Sequence, residues 1–169
     1  MEFHKILEEK GLKKINKIFE RKAVRAVIMS GHNILLVQSN RGDYKFPGGG
    51  VEENESDTEG LVREIREETG YINCEVKEWV GTVIERRSDE YEMDVVFEMT
   101  SHYYIAELKN EEKLPLQLDD YESVLDFTPE WVALEEAILQ NERLIQQVER
   151  NSWLKRETFV LKQLRTYIS

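Results

Sequence analysis

The spacing of apolar residues changes several times along the chain. Phe3, Ile6, Leu7, Ile15, Ile18 and Phe19 are spaced as in an amphipathic helix interrupted near Gly11, and the first twenty residues are read that way. From Ala23 to Met29 an apolar run contains Arg25, then Ser30-Gly31-His32-Asn33 intervenes, and Ile34 to Val37 is apolar again. Two such runs around a Gly/Asn turn predict a β-hairpin. Ser39 to Gly50 reads as a loop, with Gly42, Asp43, Pro47 and the run Gly48-Gly49-Gly50. Ser56-Asp57-Thr58-Glu59 is a capping box, which predicts a helix to about Thr69 with Gly70 as its stop. Strands are expected at Glu75–Glu85 and Val95–Leu108, joined by a polar hairpin loop from Arg86 to Asp94. Residues 109–128 are acidic and irregular, Trp131-Val132 suits a last short strand, and Leu134–Glu149 and Ser152–Ile168 read as helices.

Length and composition narrow the classes. The 169 residues suit one domain with one sizeable core. Hydrophobic residues are 40% and charged residues 34%, which is globular rather than disordered. No apolar run reaches the roughly 20 residues of a membrane helix. Met1–Lys10 is charged and does not read as a secretory signal. The single cysteine, Cys74, excludes an internal disulfide and a multi-cysteine zinc site. A cytoplasmic setting is expected. The net charge is -11, split into +5 over residues 1–47 and -16 over residues 48–169. So acidic a chain is a poor binder of nucleic-acid polymers. A phosphorylated substrate would need a cation to offset the repulsion.

The acids concentrate where the glycine run meets the capped helix. Residues 52–68 hold eight: Glu52, Glu53, Glu55, Asp57, Glu59, Glu64, Glu67 and Glu68. A solvated face is the plain reading of such a run. On a helical wheel, however, Glu68 falls about 40° and Glu67 about -60° from Glu64, beside the apolar stripe of Leu61, Val62 and Ile65. Like charges at these spacings weaken a helix. Arg63 and Glu67 give only partial relief. Gly60 falls on the same face and leaves it bare, so Gly60→Ala is expected to be tolerated and to stabilise the helix. Clustered carboxylates beside a bare backbone suit hard divalent cations, which prefer oxygen ligands.

The stretch is Gly49, five residues, Glu55, seven residues, then Arg63-Glu64-Ile65-Arg66-Glu67-Glu68-Thr69-Gly70-Tyr71. Every fixed position resembles the box of the Nudix (MutT-like) hydrolase family, G-x5-E-x7-R-E-U-x-E-E-x-G-U, where U is apolar or aromatic. Phe46-Pro47-Gly48-Gly49 before it and Gly50-Val51-Glu52 also look like the family. With the flanking strands and Trp131-Val132-x-Leu134-Glu135-Glu136, the likeness covers about residues 22–140. Residues 1–20 and 141–169 carry nothing so specific.

The resemblance implies an α/β fold, the Nudix α/β/α sandwich with a mixed β-sheet, in which the box forms loop–helix–loop. The whole chain, 1–169, would be one such domain, with an N-terminal extension at 1–20 and C-terminal helices over about 134–169. It implies hydrolysis of a nucleoside diphosphate linked to another moiety X, with Mg²⁺ or Mn²⁺. Carried over, Glu67 and Glu68 are metal ligands, and Glu64 is a ligand or the base for water. The Gly48 carbonyl is a further ligand, Arg63 orients the carboxylates, and Glu55 ties the loop to the helix. Many relatives use one more acid outside the box. Here Asp119, Asp120 and Glu122 are available, and Glu122 is the candidate.

Substrate signals are sparse. The proline-containing signature of ADP-ribose enzymes is absent from Ile84–Asp89, and the NADH and coenzyme A signatures are absent too. Tyr91 follows the box later than is usual in dinucleoside polyphosphate hydrolases. Arg25, Arg41, Lys45, Arg86 and Arg87 are candidate phosphate contacts, with solvated surface as the alternative. Tyr44, Phe46 and Trp131 are candidate base-stacking rings, with plain core packing as the alternative. Trp153 and Phe159 are expected to pack the C-terminal helices, or to serve a homodimer contact or a lid. A small nucleotide pyrophosphatase, acting on a noncanonical nucleoside triphosphate or a nucleotide sugar, is the leading expectation. A noncatalytic Nudix-fold sensor is the alternative. A calcium-buffering protein is excluded by the lack of a twelve-residue calcium loop.

Overall fold

The computed structural model describes residues 2–12, 17–147 and 152–168. Two sheets form the middle layer. The larger has the order β1-β7-β8-β2-β6, from β1 (Phe3–Glu8), β7 (Cys74–Ser88), β8 (Val95–Leu108), β2 (Lys17–Val27) and β6 (Gly48–Gly50). It is mixed: β1–β7 and β2–β8 are parallel, β7–β8 and β2–β6 antiparallel. The smaller is antiparallel. Its strand β4 (Asn33–Gln38) pairs with β3 (Met29–Ser30), β5 (Tyr44–Lys45) and β9 (Thr128–Ala133).

Period-2 alternation sends successive side chains to opposite faces, and each face has its own core. Val24 and Ala26 of β2 join Leu35, Leu61 and Ile65 under α1 (Asp57–Thr69). Val27 joins Phe46, Tyr103, Ile138 and Leu161 under α3 (Leu134–Ile145) and α4 (Ser152–Ile168). The result is the helix–sheet–helix layering of the expected α/β fold.

Helix α1 starts and stops where its sequence says. The Glu59 N–H donates to Ser56 Oγ at 3.1 Å, and the Ser56 N–H donates to Glu59 Oε2 at 2.7 Å. Gly70, at φ +82°, ends the helix, and its N–H donates to Arg66 O. The strands at 75–85 and 95–108 and the final strand and helices also form, with β7 running on through Arg86–Ser88.

Three expectations are corrected. The N-terminal residues form strands, not an interrupted helix. Phe3–Glu8 pairs along Gly81–Arg86, and Ile18 and Phe19 belong to β2; Ile15 lies outside the described residues. Local apolar spacing is a weak prior, and pairing with the β7 edge overrides it. The predicted hairpin is shorter than its apolar runs. Only Met29–Ser30 folds onto β4, while Ala23–Val27 continues into the larger sheet. The loop 39–50 contains β5 and β6, and the irregular stretch 109–128 contains α2 (Asp120–Val124). Elements of two to five residues are too short to show a period.

Candidate functional site

The site is built where α1 faces the glycine strand β6. Gly48 has φ +147°, and a Cβ there would run into the Val24 carbonyl and come within 2.9 Å of Arg25 Cα. Only glycine lets this strand lie against β2. The Gly48 N–H then donates to Glu68 Oε2 at 2.9 Å, and Arg25 Nη1 donates to Gly48 O at 3.0 Å. At Gly49 a Cβ would stand 2.6 Å from Glu64 Oε1, so the bare backbone makes room for that carboxylate.

Glu64, Glu68 and Glu122 converge. Each offers a carboxylate oxygen, all within 4.8 Å of one another, and all three residues are buried. Glu122 comes from α2, where its Oε2 accepts the Asp119 N–H at 2.8 Å. Glu67, which the wheel places in the same arc, stands more open. Its Oε2 accepts from Arg63 Nη1 at 3.1 Å, and it lines a shallow groove with Arg21, Glu52, Glu64 and Asp119.

Arg63 is the hub of this helix face. It donates to Glu55 through Nε and Nη2 at 2.8 and 2.9 Å, to Glu64 and Glu67 through Nη1, and to Gly50 O through Nη2 at 3.0 Å. The like-charge repulsion between Glu64 and Glu67 is therefore met by one guanidinium, while Glu68 is met by the Gly48 N–H and by Lys45. Gly60 is corrected accordingly. It is buried, and a Cβ would lie 2.8 Å from Glu55 Oε1 and 3.6 Å from Val51. It makes room for the Glu55–Arg63 pair rather than for a ligand.

Electrostatics follow from burial. Burial raises the Glu68 carboxyl well above the usual range; Lys45 opposes the shift, while Glu64 and Glu122 add to it. Burial likewise raises Glu64, opposed by Arg63. Burial lowers Lys45, whose Nζ is 3.9 Å from Glu68 and 4.4 Å from the centre of the Phe127 ring. Hydrogen bonds from Arg63 hold Glu55 down at about 2. Glu68 Oε1 is buried and has no hydrogen-bond partner among the described residues. Carboxylate oxygens are acceptors only. Three of them together, one without a donor, fit a hard divalent cation.

Beside the cluster lies a cavity of about 350 Å³, lined by Arg25, Lys45, Glu64, Glu122, Phe97 and Trp153 among others. Thus Arg25 and Lys45 stand at the cavity with the carboxylates. Arg41 is exposed and away from it, and Arg86 is held by Glu98 at 2.6 Å. Phe46 is fully buried against Tyr103 and offers no face to a ligand; it is core. Trp131 is tied to the Tyr71 hydroxyl, outside the cavity.

Sequence reasoning missed Glu85, Arg156 and Glu157. All three are buried, and Arg156 Nη1 donates to Glu85 Oε2 at 2.6 Å. No spacing joins positions 71 residues apart. Trp153, expected to pack the C-terminal helices or to serve a homodimer contact or a lid, lines the cavity and donates from Nε1 to Asp43 Oδ2 at 2.7 Å.

A mixed sheet between helix layers, with a carboxylate helix closing on a glycine strand at a cleft, defines an α/β protein with a buried three-carboxylate cluster that could hold a cation. The chain belongs to the Nudix family: the NUDIX domain model matches residues 20–153. Among curated proteins it is 32% identical over 90 residues to an RNA pyrophosphohydrolase of a Nitratiruptor species, covering 48% of this chain and 57% of that one. It is 38% identical over 73 residues to an ADP-ribose pyrophosphatase of Methanocaldococcus jannaschii, covering 40% and 43%. The chain thus spans about half the length of the curated relatives it matches. Two solved structures share the fold. One is a C. elegans Ap4A hydrolase binary complex, with TM-score 0.54, 18% identity, and 88% and 97% of the two chains covered. The other is a NUDIX hydrolase from Nitrosomonas europaea, with TM-score 0.54, 20% identity, and 82% and 85% covered. Among the described residues no helix is long and apolar enough to cross a membrane.

Proposed function

We propose that this protein is a metal-dependent pyrophosphohydrolase, cleaving the diphosphate linkage of a nucleoside diphosphate joined to a further group. The observation that carries the reading is the convergence of Glu64, Glu68 and Glu122 beside a cavity that is also lined by Arg25 and Lys45.

In this reading Glu64, Glu68 and Glu122 hold Mg²⁺ or Mn²⁺, with Glu67 and the Gly48 carbonyl as further oxygen donors. When bound, the cation neutralises phosphate charge and favours deprotonation of water at neutral pH. The chain supplies the rest. Arg25 and Lys45 offset charge on the phosphate oxygens. Arg63 fixes Glu64 and Glu67 in place through Nη1, and Glu55 fixes Arg63. Glu64, its carboxyl raised by burial, accepts the proton of the attacking water at a carboxylate oxygen. A small nucleotide in a cytoplasmic setting suits the acidic surface better than a polymer.

The test is a nucleotide-library hydrolysis screen with Mg²⁺ and with Mn²⁺, identifying products by mass. Two phosphorylated products, or a nucleoside monophosphate and pyrophosphate, are expected. A nucleotide that binds tightly and is recovered intact under every metal condition would establish the sensor reading instead.

A further inference from the structure

Between Tyr44 and Gly48 the chain leaves the smaller sheet for the larger. Lys45 pairs with Val37 of β4, and the Asp43 carbonyl accepts the Ser39 N–H at 3.1 Å. The Pro47 carbonyl then accepts the Ala26 N–H of β2 at 2.8 Å, and Gly48 pairs with Arg25. Successive residues of a strand turn their backbone groups to opposite edges. The N–H and C=O of Tyr44 and the N–H of Phe46 therefore face away from β4, on a side where β5 has no neighbouring strand among the described residues. Buried backbone groups need partners, and two helix side chains take the place of that strand. Asn141 of α3 accepts the Tyr44 N–H at Oδ1 and donates from Nδ2 to the Tyr44 carbonyl, both at 2.9 Å. Glu157 of α4 accepts the Phe46 N–H at Oε2, at 3.0 Å. Both side chains are fully buried.

Phe46 carries the last N–H before Pro47, which has none. Glu157 thus holds the final anchor before the chain turns into Gly48. Gly48 in turn gives its N–H to Glu68 Oε2 and its carbonyl to Arg25. Glu157 is itself held from behind. Its Oε1 accepts from Arg156 Nε and Nη2 at 2.9 and 2.6 Å, and Arg156 Nη1 reaches Glu85 of β7. A buried polar line therefore runs from β7 through α4 to the backbone beside the carboxylate cluster. A buried ion pair is seldom more stabilising than apolar residues of the same volume. Apolar residues would fill this space as well, but they would leave the Phe46 N–H without an acceptor, which is costly in a buried position.

We propose that Glu157 is a positioning residue for the metal site: its Oε2, oriented by Arg156, fixes the Phe46 N–H and so the Gly48 backbone against which Glu68 is set. The assignment rests on the proposed function above and adds what holds the glycine strand in register with the carboxylates. Groups that orient metal ligands from outside the coordination sphere govern affinity nearly as strongly as the ligands themselves. Arg156 and Glu157 lie beyond the matched region 20–153, so the last helix of this chain takes part in building the site rather than only covering it.

The test is calorimetric titration of the full chain with Mn²⁺, which needs no substrate. Arg156→Met with Glu157→Gln removes the charged pair but keeps an amide oxygen for the Phe46 N–H, and is expected to bind Mn²⁺ about as tightly as the wild type. Arg156→Met with Glu157→Leu removes the acceptor as well, and is expected to bind about tenfold more weakly or worse. The two double variants differ at one side chain and both lack the ion pair, so a role confined to that pair would move them together. Glu157→Asp keeps the charge beside Arg156 but shortens the reach to Phe46. It is expected to weaken Mn²⁺ binding too, and it decides the outcome if either double variant does not fold. The proposal is overturned if Arg156→Met with Glu157→Leu, folded, or Glu157→Asp binds Mn²⁺ as the wild type does. It is overturned equally if Arg156→Met with Glu157→Gln loses as much affinity as its Glu157→Leu counterpart. In each of these cases Mn²⁺ binding by the wild type leaves the hydrolytic reading standing. A wild type that binds no Mn²⁺ overturns both.

Discussion

Arg63 grips Glu55 with both arms of its guanidinium, Nε to Oε2 at 2.8 Å and Nη2 to Oε1 at 2.9 Å. The pair ties helix α1 to the loop before it, while Nη1 of the same arginine reaches Glu64 and Glu67. Lysine offers one point charge and cannot reproduce the fork. Arg63→Lys is therefore expected to destabilise the fold by about 1–3 kcal/mol and to lower hydrolytic activity more than tenfold. Thermal unfolding and steady-state rates on one preparation check both.

The same pair sets a pH dependence. Arg63 holds the Glu55 carboxyl down at about 2 in the folded chain, against about 4.3 in an unfolded one. A depressed folded value means the contribution is fully present above about pH 4.3 and is lost as pH falls through about 2. The stability difference between the wild type and Glu55→Gln should be constant near neutrality and shrink over that window. A denaturant titration series checks it; a difference that grows on acidification would contradict the pairing.

Metal affinity should follow the three-carboxylate geometry. Glu68→Gln and Glu122→Gln are each expected to weaken Mn²⁺ binding tenfold or more, and Glu67→Gln to weaken it less, because Glu67 stands apart from the cluster. Burial raises the carboxyls of Glu64 and Glu68, so protons compete with the cation and affinity should rise with pH until both are ionised. Calorimetric titrations at several pH values measure both effects.

Gly60→Ala places a methyl group 2.8 Å from Glu55 Oε1. The helix gains about 1 kcal/mol from replacing glycine, but crowding a packed position costs about 1–3 kcal/mol. A net loss of up to about 2 kcal/mol follows from the two. In a Glu55→Ala background the same change should become neutral or stabilising, which a double-mutant cycle of unfolding free energies will show.

Gly48→Ala should be far more damaging. It combines φ +147° with a Cβ driven into the Val24 carbonyl. Backbone on a neighbouring strand cannot swing aside as a side chain can. A loss of about 3 kcal/mol or more is expected, read as a large drop in the unfolding midpoint.

What the sequence determined is local. The Ser56–Glu59 box and Gly70 bound α1 because capping is satisfied by atoms a few residues apart. The box residues stand together because one helix and the loop before it carry them, so the family and the acidic helix face were legible in advance. Tertiary structure decided everything that depends on contacts far apart in sequence. It made the N-terminal segment a strand along β7 and brought Glu122 to Glu64 and Glu68. It also withdrew Phe46 into the core and set Arg156 on Glu85. A wheel gives the angle of a side chain about its own axis, not what packs there. That is why Glu64, Glu67 and Glu68 read alike, until the glycine strand covered two of them and Arg63 held the third aside.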